Sequence, residues 1–233
     1  MEKAKRMLYL GLFGALLTMV GDILLLGVDA TEAGSLVETL AVVAGRVSCT
    51  RIGLAAFFGA VGIPLCAAGF LALDLFVFDR GSRLARLYRF GCHGYLALGG
   101  VVHVACCYLV YGIKKSAADG TLASLLQVAG EQAGLLIPLM AVWEVIYGMT
   151  VVTMLLLVAR RKTTLPGRMW VWNPLVFKVL INLVAALGPW NAFFNGLRCS
   201  NMSLGAFFIL MAWLTVLTKY RTAAEYQMGA AEE

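Results

Sequence analysis

The chain has 233 residues, 61% of them apolar and only 14% charged, with a formal net charge of +6. A soluble domain cannot hide so much apolar surface, and the charges fall in clusters between long uncharged runs, the layout of a polytopic membrane protein. The basic excess follows membrane topology and not nucleic-acid binding, because no basic face is interleaved with aromatic residues.

The N-terminal MEKAKR leads into an apolar run with no small-residue cleavage site behind it. The first span, over 8–28, is therefore expected to be retained. Gly11, Ala15, Thr18 and Asp22 share one helical face there. A carboxylate at that depth costs about 2.5–3.5 kcal/mol on insertion scales, so Asp22 should face protein or a wet cavity. The first loop carries Ser35-Leu36-Val37-Glu38, a capping box, and predicts a short outer-surface helix over 35–47. The second span, 52–78, holds Pro64, the only proline well inside a predicted span, as a kink. Asp74 near its end has two readings. It pairs with an arginine of the cluster that follows, Asp79 to Arg86, or with His93 at the start of the next helix.

The third span, 90–113, organises the polar interior because it holds both histidines of the chain, His93 and His103. Ten residues of helix advance about 15 Å and return to within roughly 80° of the starting direction. Both rings are thus expected on one broad face, together with Gly100 and Cys107. A polar connection over 114–132 precedes the fourth span, 133–159, where Met140, Glu144, Tyr147 and Gly148 share a face. After the basic loop 160–168, Asn173-Pro174 opens the fifth span, 173–189, as N-cap and first helical residue. Lys178 and Asn182 stand one turn apart on it. A turn-rich loop over 190–198 leads to the sixth span, 202–220, capped by Asn201 or Ser203, and the tail is expected to fray.

Lys and Arg mark the N-terminus, the second and fourth loops and the C-terminal flank, while the first loop is acidic at Asp29, Glu32 and Glu38. Lys114 and Lys115 in the third loop are the one partial exception. The positive-inside rule then gives a single all-α domain, a bundle of six transmembrane helices with N- and C-termini cytoplasmic. Six cysteines without a C-x-x-C spacing argue against structural zinc or a redox motif. Cys66, Cys92, Cys106 and Cys107 read as packing residues. Cys49 and Cys199 lie in outer loops, where a disulfide stays open if that compartment is oxidising.

By depth the buried polar groups fall into two sets. Asp22, His103, Glu144 and Asn182 are expected near the midplane, slightly toward the outside, with Lys178 a turn deeper, and Asp74 and His93 near the cytoplasmic face. One reading is a polar lock that fixes helix register. Another is a pocket with acid–base chemistry at Glu144 and His103, in which Asp22 orients His103. Lys178, Asn182, Tyr147, Asp74 and His93 would then be ligand-binding. A small transporter or proton-coupled carrier using the same residues is the third reading, and a non-catalytic membrane subunit the fourth. Two imidazoles on one helix cannot ligate one haem, the acidic and His residues follow no metal-ligand spacing, and neither G-x-S-x-G nor a phosphate-binding glycine loop is present. No cofactor and no metal is expected. The expected partners are membrane lipids, a lipid-like or amphipathic small molecule and, for a transport pathway, further copies of the chain.

Gly21-Asp22 late in the first span, Asn173-Pro174 opening the fifth and Asn201-Met202-Ser203-Leu204-Gly205 opening the sixth resemble an uncharacterised family of bacterial multi-pass membrane proteins, a domain of unknown function. The resemblance covers most of the chain and implies a bacterial cytoplasmic membrane and no established activity. A looser similarity is to sterol-isomerase-like membrane proteins, which place His, carboxylates and Trp around an intramembrane cavity. His103 and Trp143-Glu144 echo that chemistry, though no motif aligns.

Overall fold

The computed structural model describes residues 2–29, 36–117, 121–189, 191–217, 219–220 and 222–226. Its elements are helices α1 (Glu2–Leu26), α2 (Leu36–Arg46), α3 (Cys49–Leu71), α4 (Arg83–Ser116), α5 (Leu122–Ala159), α6 (Pro174–Ala186), α7 (Ala192–Cys199) and α8 (Asn201–Leu217). Two short 3₁₀ turns accompany them. Among the described residues, four segments are long and apolar enough to cross a membrane: Glu2–Leu26, Cys49–Phe76, Arg83–Ser116 and Ile137–Ala159.

The tightest pair is α1 on α3. Small residues recur on the inward face of α1, so the backbones approach closely, and a side chain on Gly11 would run into the backbone of Gly69. Helix α3 begins at Ser48, whose hydroxyl accepts from Arg51 N at 3.2 Å. Arg51 also donates to the Leu24 and Gly27 carbonyls at 3.0 and 3.4 Å. It thereby places a cation at the C-terminus of α1, where free carbonyls gather.

Helices α4 and α5 have 34 and 38 residues. At 1.5 Å per residue they reach about 51 and 57 Å, well past a hydrocarbon core of about 30 Å. The overhang is used. Ala41, Val43, Ala44 and Val47 of the α2 end pack on Val110, Ile113, Leu125 and Ala129 as a second apolar cluster. Lys114 Nζ meets the Ala44 carbonyl at 3.1 Å. The segment expected as a polar connection over 114–132 is therefore mostly helix, because α2 gives its apolar residues something to pack on. Helix α5 starts from Thr121 as N-cap, which puts Pro138 in a helix interior, as Pro64 is in α3. Ser35 of the capping box lies outside the described residues.

At the opposite end the chain after α3 is clamped to the chain after α5. Val77 and Thr163 form an isolated bridge, with Phe78 N bonded to Lys162 O at 3.0 Å and Thr164 N to Phe76 O at 2.9 Å. The Phe78 ring meets Tyr226 at 5.6 Å, and Lys3 borders the same groove as Thr222–Ala224. The described residues nearest both termini thus lie at this one end.

Helix α6 is short because it starts inside the bundle. Buried Asn173 caps it, accepting from Leu175 N at 2.9 Å while its amide donates to Val151 O at 2.9 Å, two turns before α5 ends. With 13 residues, α6 falls short of the about 20 a crossing needs, as does α8 with 17. The expected turn-rich loop over 190–198 contains a helix, α7, capped by Asn191 and tied to the end of α1 by Asn195, whose amide donates to Val28 O at 2.8 Å.

Candidate functional site

Four helices converge on Asp22. It stands one turn before the end of α1, and its Oδ1 lies 3.5 Å from His103 Nδ1 of α4. Ser203 in the first turn of α8 donates to Oδ2 at 2.7 Å. From α3, the Ala55 carbonyl lies 3.0 Å from His103 Nε2. The ring lies across Gly59, where any Cβ would overlap it. The side chains are only 9% and 17% exposed. The centre sits toward the α2 end of the bundle, one turn from the end of α1.

These contacts fix a proton count. A carbonyl only accepts, so His103 Nε2 carries a hydrogen. Nδ1 then faces a carboxyl oxygen, and a bond between them needs one more proton, held by the imidazole or by Asp22. With it the pair is electrically neutral overall. Without it a bare carboxylate faces a nitrogen lone pair inside an apolar bundle, which both repulsion and desolvation oppose. The contacts are satisfied when Asp22 and His103 hold one proton between them.

Glu144 belongs to a different pair. Helices α4 and α5 run antiparallel with Gly91 on Thr150, Gly99 on Trp143 and Cys106 Sγ 3.7 Å from Met140 Sδ. In that register Met140, not Glu144, lies level with His103. Glu144 Oε2 instead meets Lys178 Nζ of α6 at 3.4 Å, with side chains 47% and 23% exposed. Asn182, one turn along α6, is also exposed. The expected convergence of four spans at one level is thus resolved into two centres.

Aromatic rings adjoin the second. Lys178 Nζ lies 5.3 Å from the Tyr147 ring centroid. Tyr147 meets Trp143 at 6.4 Å and Tyr95 at 6.3 Å, and Trp143 meets Tyr95 at 4.8 Å. The Tyr147 hydroxyl is buried and has no hydrogen-bond partner among the described residues.

The chain belongs to the family of unknown function DUF6796. The family model matches residues 1–220, a stretch that takes in both polar centres. Nothing among curated proteins or solved structures matches the chain.

The remaining predicted residues of this DUF6796 chain separate. Asp74 is buried and bound by Arg80, whose Nε lies 3.0 Å from Oδ2, with Arg89 Nε 3.7 Å from Oδ1. His93 is exposed, its Nδ1 on the Arg89 carbonyl at 2.6 Å. The structure brings Asp74 to the arginines and does not bring it to His93. The roughly 80° between the two histidines carries one ring inside and leaves the other out. Cys49 is a free thiol, and the Cys199 side chain lies outside the described residues.

Sequence reading missed Ser203 as a partner of Asp22, treating it as a cap, and missed Ala55 and Gly59 altogether. A glycine level with a buried ring was the available signal for Gly59. A backbone carbonyl leaves none. Tyr95 also went unnoticed, although it lies two turns from His103 on a face that must meet α5.

Proposed function

We propose that this DUF6796 member is an integral protein of the bacterial cytoplasmic membrane that receives a lipid-like or amphipathic small molecule beside α5 and α6 and exchanges protons at Asp22 and His103. In this reading the bundle crosses the membrane six times, α6 and α8 completing it as short helices, with both ends inside. The meeting of residues near both termini at one end of the bundle favours an even number of crossings. The basic loops favour the cytoplasm for that end.

The observation that carries the ligand is the Tyr147 hydroxyl. A buried hydroxyl without a partner costs about 1–3 kcal/mol, a cost that a ligand oxygen or nitrogen would remove. Its neighbours suit the purpose. A half-open ion pair at spanning depth is expensive against hydrocarbon, so Glu144 and Lys178 call for something polar beside them. Lys178 can hold an anionic or hydroxylated end while Trp143 and Tyr95 line the apolar remainder. The test is extraction of the purified protein and mass spectrometry of what it retains. An amphipathic molecule should co-purify with the wild type and be depleted in Tyr147→Phe and in Lys178→Met. Equal retention by all three proteins would remove the ligand site.

A second reading, a proton-coupled carrier, is favoured by the proton count at Asp22 and His103. In sealed vesicles with an internal pH dye, wild-type protein would acidify the lumen in step with substrate entry, and Asp22→Asn would not. If Asp22→Asn, His103→Ala and Glu144→Gln alter thermal stability alone, both readings give way to a structural polar lock.

A further inference from the structure

Several grooves mark the outer surface. Two lie along the α3–α4 seam and are apolar, one beside Ile52, Ala56, Cys107 and Tyr108, the other beside Ala60, Pro64, Leu96 and Val101. A third, of about 490 Å³, is chemically different: Arg83, Arg86, Leu87 and Phe90 line it, all on the first two turns of α4.

Four arginines crowd this end of α4, and the structure sorts them. Arg80 and Arg89 are both engaged by buried Asp74. The Arg83 and Arg86 side chains are exposed and have no ion-pair or hydrogen-bond partner among the described residues. One turn further along stand Leu87 and Phe90, 47% and 65% exposed. Two uncompensated cations beside two bare apolar side chains suit neither plain water nor plain hydrocarbon. They suit the boundary between the two. The sequence puts them there, since no Asp, Glu, Lys or Arg occurs from Phe90 to Ile113.

We propose that this groove binds one anionic phospholipid, its phosphate diester on the Arg83 and Arg86 guanidiniums and its acyl chains along Leu87 and Phe90. Guanidinium matches phosphate oxygens by paired, charge-assisted hydrogen bonds, and the adjacent apolar half selects an amphipathic partner over an inorganic anion. Asp74 engages Arg80 and Arg89 and offsets one of their two charges, which leaves Arg83 and Arg86 as the cations with no side-chain partner. The site is independent of the ligand at Tyr147.

The test uses the full chain, delipidated in detergent and titrated in native mass spectrometry with phosphatidylglycerol or phosphatidylcholine of identical acyl chains. Wild type should prefer phosphatidylglycerol by about tenfold or more, and Arg83→Gln with Arg86→Gln should weaken that lipid by about thirtyfold and phosphatidylcholine by less, so that the preference is lost. Leu87→Ser with Phe90→Ser should weaken both lipids. All four positions are exposed, and an unchanged melting temperature verifies that each variant folds. Inorganic phosphate at about 10 mM should not displace the lipid. Equal binding of the two lipids, full binding by the double glutamine variant, or displacement by phosphate would each overturn the proposal, the last in favour of a free-phosphate site.

Discussion

Replacing Tyr147 by Phe removes one oxygen and leaves the ring in place. The contacts with Trp143 at 6.4 Å, Tyr95 at 6.3 Å and Lys178 at 5.3 Å therefore persist. In the ligand-free protein the lost hydroxyl has no partner to leave behind, so its removal ends a desolvation cost of about 1–3 kcal/mol. After allowance for relaxation, we expect stability unchanged or raised by about 1 kcal/mol, a melting shift of roughly 0–4 °C for a chain of this size. Binding should move the other way. A ligand hydrogen bond contributes about 1 kcal/mol to a neutral group and about 1.5–3 to a charged one, so affinity should fall roughly fivefold to a hundredfold. Tryptophan fluorescence during thermal unfolding, with and without the extracted ligand, reads both effects on one sample. The reasoning fails if Tyr147→Phe lowers the ligand-free melting temperature by several degrees, because the hydroxyl would then have a partner within the protein.

Other outcomes follow from the same contacts. Gly59→Ala puts a methyl into the His103 ring and should cost about 1–3 kcal/mol, measurable by thermal unfolding. His103→Ala leaves Asp22 with Ser203 alone and should cost about 3–5 kcal/mol, whereas Asp22→Leu with His103→Leu together should recover most of that. Both single and double variants should abolish proton exchange in vesicles, which separates stability from function. Glu144→Gln breaks a half-exposed pair and should change stability by less than about 1 kcal/mol while reducing ligand retention. Asn173→Ala loses the cap of α6 and the added bond to the Val151 carbonyl, which keeps its partner within α5, for about 1–2 kcal/mol in an unfolding titration.

Hydropathy made the long helices legible, because a run such as Phe90 to Ile113 admits few other structures. Asn173-Pro174 announced the start of α6 by capping chemistry alone, and the structure adds that the same side chain reaches across to Val151. The lengths of α4 and α5 were not legible. Leu125 and Ala129 look like parts of a polar connection until α2 is placed against them. The polar interior was half legible. Asp22 and His103 were named as partners because both are costly in lipid, and they meet at 3.5 Å. Glu144 was placed level with them, but depth counted along separate helices carries an error of about one turn, and the α4–α5 register uses up that turn. Helix rotation was the other gap, since it turned His93 outward, and it decided between the two readings of Asp74 in favour of an arginine of the cluster, Arg80.

The most direct measurement is an experimental density map of the full chain in lipid nanodiscs, viewed around Tyr147. The account predicts elongated non-protein density between α5 and α6, with a polar end within hydrogen-bond distance of the Tyr147 hydroxyl and of Lys178. A closed seam, with that hydroxyl bonded to a protein atom and no density beside Glu144, would contradict it.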